Sequence, residues 1–252
     1  MRELFQTFKT DLAEADRRAA LALIYAAIGL SCIFYLGSAQ KLIDILQRTP
    51  FAEYGELFLS TENNLPALTF WVAIVVLFYF AIPALIVKFV WRQKLSDYGL
   101  NLKFEKGFGE LYLQCAAIML PLVYLMSLTE GFANKYPFFR VFNGEPYLGQ
   151  DFFVWEALYF LQFFGLEFFF RGFLVQALKP KLGIYSIFVM TVPYCMIHFG
   201  KPMPETFAAI FAGIFLGWLS YKYNNIWLGL LLHCTVALAM DVLALHHKGL
   251  LF

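Results

Sequence analysis

Glu167 and Arg171 are an acid and a base placed four residues apart inside an apolar stretch that begins near Phe152. An isolated charge in hydrocarbon costs about 2.5 to 3.5 kcal/mol on insertion scales, so such a side chain normally faces protein and has a partner. At a spacing of four, the two side chains share one helix face, with the acid N-terminal to the base, which is the favourable order. This spacing fits a stabilising ion pair and a functional site equally well.

Two histidines lie in later apolar stretches and extend this polar set. Tyr194 and His198 close one stretch, four residues apart, and His233 lies within another. A single histidine in a span is as often a packing residue as a functional one. Beside Glu167, however, a carboxylate that can take a proton from water would meet imidazoles that can orient a carbonyl oxygen or donate to it. Together these residues predict hydrolysis of an amide bond.

The elements that must position these side chains are membrane-spanning helices. The chain has 252 residues, of which 61% are hydrophobic and 15% charged, and soluble domains carry more charge. This composition predicts an all-α polytopic transmembrane bundle forming one folded unit. Seven stretches are long and apolar enough to be spans, namely residues 19–39, 66–90, 108–127, 152–178, 183–199, 206–221 and 226–246.

The chain divides into three parts by its pattern of apolar and charged residues. Residues 1–18 carry apolar side chains at helical spacing between charges, which predicts an amphipathic helix on the membrane surface. Residues 19–150 hold the N-terminal spans and loops, and residues 151–252 hold a core of four spans. The connection 88–106 carries five basic residues, which places it and the N-terminus on the cytoplasmic side.

Charge and cysteine usage exclude several other classes of protein. The net charge of +1 provides no basic surface for nucleic acid, so no nucleic-acid partner is expected. The four cysteines lack short paired spacings and indicate neither a disulfide framework nor a zinc knuckle. No internal repeat is visible, which argues against a transporter built from inverted halves. The partners expected are a peptide or protein substrate and membrane lipid, with the oligomeric state left open.

From about residue 152 to 241 the polar residues resemble the CAAX-processing-endopeptidase and bacteriocin-processing (CPBP, Abi-type) intramembrane proteases. The first family motif is Glu-Glu, three residues and Arg, matched here by Glu167 and Arg171. The second, an aromatic residue with histidine four later, is matched by Tyr194 and His198, and the third by His233. The resemblance implies a membrane hydrolase that activates water with glutamate, in a bacterial cytoplasmic membrane. Glu167, His198 and His233 would be catalytic, with Arg171 and Tyr194 in support.

Two positions depart from the family pattern and leave three interpretations open. The motif's first glutamate is Leu166, and the asparagine or aspartate expected four residues after His233 is Ala237. Glu167 could act as the base, with Glu205 or Asp241 as a second carboxylate. In the second interpretation, Glu167, His198 and His233 bind zinc, since two histidines and a carboxylate are a workable zinc set. Otherwise no cofactor is expected. The third interpretation is a catalytically silent relative that binds partners.

The depth of His198 sets a condition on the shared site. In straight, full-length spans His198 would lie at the outer end of its helix, whereas Glu167 and His233 would lie in the cytoplasmic half. Non-helical backbone is allowed at membrane depth where it is buried in protein or lines a wet cavity. We therefore predict that the span before His198 is short, or that the turn at residues 200–204 dips inward.

Overall fold

The computed structural model describes residues 1–251, and within them the chain is helical with no named β-strand. The all-α bundle predicted from composition is confirmed. Six helices are long and apolar enough to cross a membrane, and a shorter apolar helix accompanies them. In chain order the helices are α1 (Arg2–Glu14), α2 (Arg17–Leu36), α3 (Ala39–Leu46), α4 (Leu65–Val90), α5 (Phe108–Ser127), α6 (Glu130–Lys135), α7 (Gln150–Leu182), α8 (Tyr185–Met196), α9 (Met203–Tyr223) and α10 (Trp227–His247).

Helix α7 is the centre of the bundle. In its most apolar window 78% of the residues are buried, against 11–39% in the other candidate spans. It packs against α4 and α10 along its first part and against α2, α8 and α9 further on. The helix that carries Glu167 and Arg171 is therefore enclosed by protein on most sides.

Two helices contain π-helical turns. In α4 the turns Leu77–Ala81 and Ile86–Val90 flank Pro83, whose missing N–H and fixed φ disturb regular α-helical bonding. In α7 the segment Phe168–Leu174 is π-helical, begins directly after Glu167 and contains no proline. Such turns occur frequently at functional sites because they re-aim side chains along a helix.

Helix α8 is short, as the depth of His198 required. Its 12 residues, Tyr185–Met196, rise about 18 Å, well under the ~30 Å of hydrocarbon in a bilayer. A turn through His198 and Gly200 then leads into α9, which pairs with α8 as an antiparallel neighbour.

The N-terminal helix α1 lies apart from the core. No residue of α1 is buried, and its four large apolar side chains, Leu4, Phe5, Phe8 and Leu12, are all exposed. Asp16 then caps α2 by accepting from the backbone N–H of Ala19 at 2.8 Å. An exposed apolar stripe on a separate helix is the arrangement expected for a helix lying on a membrane surface.

Candidate active site

Glu167 and Arg171 form the ion pair that their spacing predicts. Arg171 Nη1 lies 3.2 Å from Glu167 Oε1, and both side chains are almost completely buried. The guanidinium carbon of Arg171 also lies 3.8 Å from the centre of the Tyr194 ring, a close cation–π contact. The charge of Arg171 is therefore shared between a carboxylate and an aromatic face, both inside the bundle.

His233 is the second partner of Glu167. Its Nδ1 lies 2.9 Å from Glu167 Oε1, and the same nitrogen lies 3.0 Å from the carbonyl oxygen of Gly229, one turn earlier in α10. The contacts of Glu167 are at ion-pair distance, but neither carboxylate oxygen has the angles of a hydrogen bond. The carboxylate is thus held by charge while keeping unused hydrogen-bonding capacity.

Tyr194 connects the two histidines. Its hydroxyl lies 3.0 Å from His233 Nε2, and its carbonyl oxygen lies 2.8 Å from His198 Nδ1. The rings of Tyr194 and His198 are 4.9 Å apart, edge to face. Phe163 stacks on the imidazole of His233, with 5.1 Å between the two ring centres. Residues from α7, α8, the following turn and α10 therefore meet in one cluster, which we call the Glu167 cluster: Glu167, Arg171, Tyr194, His198 and His233.

The accessible side of this cluster is the side of the histidines. The side chain of His233 is 17% exposed, whereas that of Glu167 is 1% exposed. His198 is nearly buried, and its carbonyl oxygen accepts from Thr206 Oγ1 at 2.9 Å. A water molecule or a substrate carbonyl that enters would meet an imidazole before it meets the carboxylate.

Gly229 gives Glu167 the space it occupies. A Cβ atom built at Gly229 would collide with the Glu167 carboxylate, since its Cδ would lie 2.7 Å away. This glycine was not singled out in the sequence. Its position four residues before His233, on the same helix face, is the signal that could have indicated it, because glycine is used where another group approaches the backbone closely.

Leu166 and Ala237, at the two positions that depart from the family motifs, are both buried apolar residues. Leu166 packs in the main hydrophobic core and Ala237 is 3% exposed. Neither side chain can activate water or donate a hydrogen bond to an oxyanion. The acid beside the imidazole is Glu167, one residue later than the first glutamate of the motif.

Glu205 is engaged at the start of α9. Its carboxylate pairs with Lys201 Nζ at 2.7 Å and accepts from the hydroxyl of Tyr136 at 2.8 Å. Burial raises the pKa of Tyr136 above its usual value, and the neighbouring carboxylate adds to this. Tyr136 therefore remains protonated and able to donate to Glu205.

Asp241 belongs to a second polar group, eight residues after His233 in α10. Its Oδ2 accepts from the indole N–H of Trp155 at 2.9 Å. Glu156, the neighbour of that tryptophan in α7, is buried with both carboxylate oxygens lacking hydrogen-bond partners. Glu156 and Asp241 thus lie about three and two turns, respectively, along their helices from the Glu167 cluster.

The zinc alternative can be tested against the geometry of the donors. Among residues 1–251, no three His, Cys, Asp or Glu side chains converge closely enough to hold a metal ion. Glu167 and His233 provide two such donors, but His198 Nδ1 and both nitrogens of His233 already contact protein groups. In this arrangement the three side chains are not gathered around one point, and binding of zinc stays a prediction.

Comparisons with known proteins agree with the motif assignment. Residues 149–239, from the start of α7 into α10, match the family model described as type II CAAX prenyl endopeptidase Rce1-like. The matched segment contains every member of the Glu167 cluster and agrees with the resemblance predicted for residues 152–241. Searches of curated proteins and of solved structures find no match to this chain.

Proposed function

Because residues 149–239 match the type II CAAX prenyl endopeptidase Rce1-like family, a CPBP family of membrane peptidases, we propose that this protein is an intramembrane peptidase. It hydrolyses a peptide bond of a membrane-associated or C-terminal peptide. The observation that carries the proposal is the buried carboxylate of Glu167, held at 3.2 Å from Arg171 and 2.9 Å from His233. A charge buried at membrane depth is costly, so ionisable residues are rare there and commonly mark functional sites.

In the proposed reaction Glu167 acts as the general base. It takes a proton from a water molecule, whose oxygen attacks the carbonyl carbon of the scissile peptide bond. The imidazoles of His198 and His233 orient the scissile carbonyl, and an imidazole that is protonated at both nitrogens donates an N–H to the developing oxyanion. Protonated Glu167 then returns its proton to the amide nitrogen as the C–N bond breaks, which gives a free carboxylate and a free amine.

Arg171 and Tyr194 support this chemistry without touching the substrate. The positive charge of Arg171 favours the ionised form of Glu167, as a base requires. The hydroxyl of Tyr194 fixes the His233 ring at 3.0 Å. Glu205 and Asp241 have partners of their own, Lys201 and Trp155, and we assign them auxiliary roles in holding α9 and α10 in place.

The proposal also covers the membrane in which the protein lies and its dependence on metal. We propose a bacterial cytoplasmic membrane from the resemblance to the CPBP proteases, and an N-terminus on the cytoplasmic side because basic residues concentrate in the connection 88–106. No cofactor is assigned. Activity that is lost on chelation and restored by zinc, with zinc found by elemental analysis, would instead support a metal-dependent reaction.

A cleavage assay on a peptide library in detergent or proteoliposomes tests the proposal. We expect Glu167→Gln and His198→Ala each to lower cleavage at least a hundredfold. Glu156→Gln is the matched control, because it makes the same change at another buried glutamate of α7.

The rival function is a catalytically silent scaffold that binds membrane partners, which the apolar residues Leu166 and Ala237 favour. Cleavage that is absent from the wild-type protein, or unchanged in both site variants, would overturn the peptidase proposal in favour of this one. Binding of the same peptides without turnover would identify the scaffold directly.

A further inference from the structure

A cavity of about 430 Å³, lined mainly by polar and charged side chains, lies at the C-terminal end of α7. It is an open cleft bordered by the start of α2, the connection after α4, the end of α7 and the end of α9. Its lining includes the side chains of Arg18, Gln93, Asp97, Tyr98, Gln176 and Lys179. Lys179 lies eight residues beyond Arg171, so this cavity is separate from the Glu167 cluster.

The two cations of the cavity are held in place by neutral groups. Arg18 lies over the ring of Trp91, with 5.6 Å between the guanidinium carbon and the ring centre. The amide oxygen of Gln93 accepts from Arg18 Nη2 at 3.0 Å when its amide nitrogen faces the hydroxyl of Tyr98. Lys179 Nζ donates to the carbonyl oxygen of Tyr221 at 2.7 Å and lies 4.4 Å from the centre of that ring.

Neither cation is neutralised by a carboxylate. The salt bridges among residues 1–251 join Arg171 and His233 to Glu167, and Lys201 to Glu205. Asp97, the acid on the cavity lining, accepts instead from the backbone N–H of Lys94. Because Arg18 and Lys179 are positively charged and Asp97 is the single acid of the lining, the cavity carries an excess positive charge.

The position of the cavity indicates which anion fills it. It opens at the ends of apolar helices, beside the connection 88–106, which lies at the cytoplasmic surface in the topology proposed above. Phe89 and Val90, just before Trp91, are both more than 60% exposed, as residues in contact with acyl chains would be. Basic pockets between spans on this side bind anionic lipid headgroups, and the planar fork of arginine matches phosphate oxygens.

We propose that this cavity binds the phosphate group of an anionic membrane lipid, with Arg18 and Lys179 as its ligands. The bound headgroup would join α2 to the end of α7. Gln176 Nε2 already ties this part of α7 to α9 by donating to the carbonyl oxygen of Ser220 at 2.8 Å. The lipid would therefore stabilise the C-terminal half of the helix that carries Glu167.

Thermal unfolding and native mass spectrometry of the full chain in mild detergent test this assignment. Added phosphatidylglycerol is expected to raise the unfolding temperature by several degrees and to remain bound as an adduct. The variant Arg18→Gln with Lys179→Gln should lose at least half of that shift and the adduct. The matched control, Arg17→Gln with Lys181→Gln, removes the same charge from exposed neighbours outside the cavity and should keep both.

The contrary outcomes are distinct from those of the cleavage assay. Equal losses in the two double variants would mean a diffuse surface charge effect and would overturn the site. A full shift with phosphatidylcholine would remove the requirement for an anion, and a full shift with inorganic phosphate alone would overturn a lipid as its source. If the double variant fails to fold, Arg18→Gln alone should weaken the adduct, because it leaves Lys179 attached to Tyr221.

Discussion

At the scale of single residues, the cost of burying charge determines how the Glu167 cluster behaves. Glu167 has two cationic or imidazole partners, whereas Arg171 has one carboxylate and an aromatic face. Replacing a buried ion pair by neutral groups is often tolerated, but removing one member leaves a charge without compensation. Removing one member of the Glu167–Arg171 pair should therefore destabilise the protein more than neutralising both members.

Arg171→Gln is expected to lower the free energy of unfolding by about 3–5 kcal/mol, because it leaves Glu167 buried without its guanidinium partner. Unfolding in sodium dodecyl sulfate, followed by circular dichroism, measures this. The double variant Glu167→Gln with Arg171→Gln removes both charges and should recover most of the loss. A double variant as unstable as the single one would show that packing of Arg171, and not its charge, is what matters.

Tyr194→Phe is expected to lower kcat/KM for peptide cleavage about tenfold, because a lost hydrogen bond of about 1 to 1.5 kcal/mol corresponds to that factor. The variant removes the hydroxyl that lies 3.0 Å from His233 Nε2. Tyr112→Phe is its control, since it removes a hydroxyl lying 2.7 Å from Thr235 Oγ1 on the same helix. Equal activity losses in both variants would contradict a role for Tyr194 in orienting the imidazole.

At the scale of elements, the contact between α7 and α10 depends on a missing side chain. Gly229 lets the Glu167 carboxylate lie against the backbone of α10. Gly172 lets the connection after α4 lie against the backbone of α7, because a Cβ at residue 172 would collide with the carbonyl oxygen of Tyr98. Gly172 lies within the π-helical turn of α7. The helix that carries the site is thus approached by backbone on two sides.

Gly229→Ala is expected to abolish cleavage and to destabilise the protein by about 1–3 kcal/mol, the usual cost of overpacking a filled site. Activity assays and detergent unfolding on the same preparation measure both effects. Gly109→Ala in α5 is the control, because a Cβ there meets nothing within 4 Å. That variant should be neutral or stabilised by up to about 1 kcal/mol. Full activity in Gly229→Ala would mean that Glu167 can move away without consequence.

The sequence predicted the helices better than their internal irregularities. The stretch 108–127 coincides with α5, since an apolar run of that length has few other solutions in a bilayer. The pairing of Glu167 with Arg171 followed from helix geometry alone. The π-helical turn after Glu167 could not be predicted, because no proline marks it. The contact of Glu167 with His233 joins distant segments, so local spacing gave no distance for it.

At the scale of the whole molecule, the direction of the bundle in the membrane decides which leaflet faces each site. The basic connection 88–106 and the aromatic loop after α6 lie at opposite ends of the bundle in the proposed topology. The loop after α6 is tied to the segment before α4, where Asn64 Nδ2 donates to the carbonyl oxygen of Phe138 at 2.8 Å. These two connections are therefore suitable places for labels.

Cysteine labelling of intact cells measures that direction. In a variant lacking the four native cysteines, Asn143→Cys should react with an impermeant maleimide. Lys103→Cys should react only after permeabilisation. Both positions are exposed, so burial does not protect either one. The reverse labelling pattern would move the Arg18–Lys179 cavity to the outer leaflet, while leaving the chemistry of the Glu167 cluster unchanged.

The short helix α8 has a consequence for the lipid around it. Its rise of about 18 Å falls about 12 Å short of the hydrocarbon thickness, and bilayers answer such mismatch by thinning locally. The hydrocarbon layer beside α8 should therefore be thinner where the chain turns through His198. A polar peptide would cross a thinner layer of hydrocarbon there. This local thinning of the membrane would bring peptide substrates closer to the buried carboxylate of Glu167.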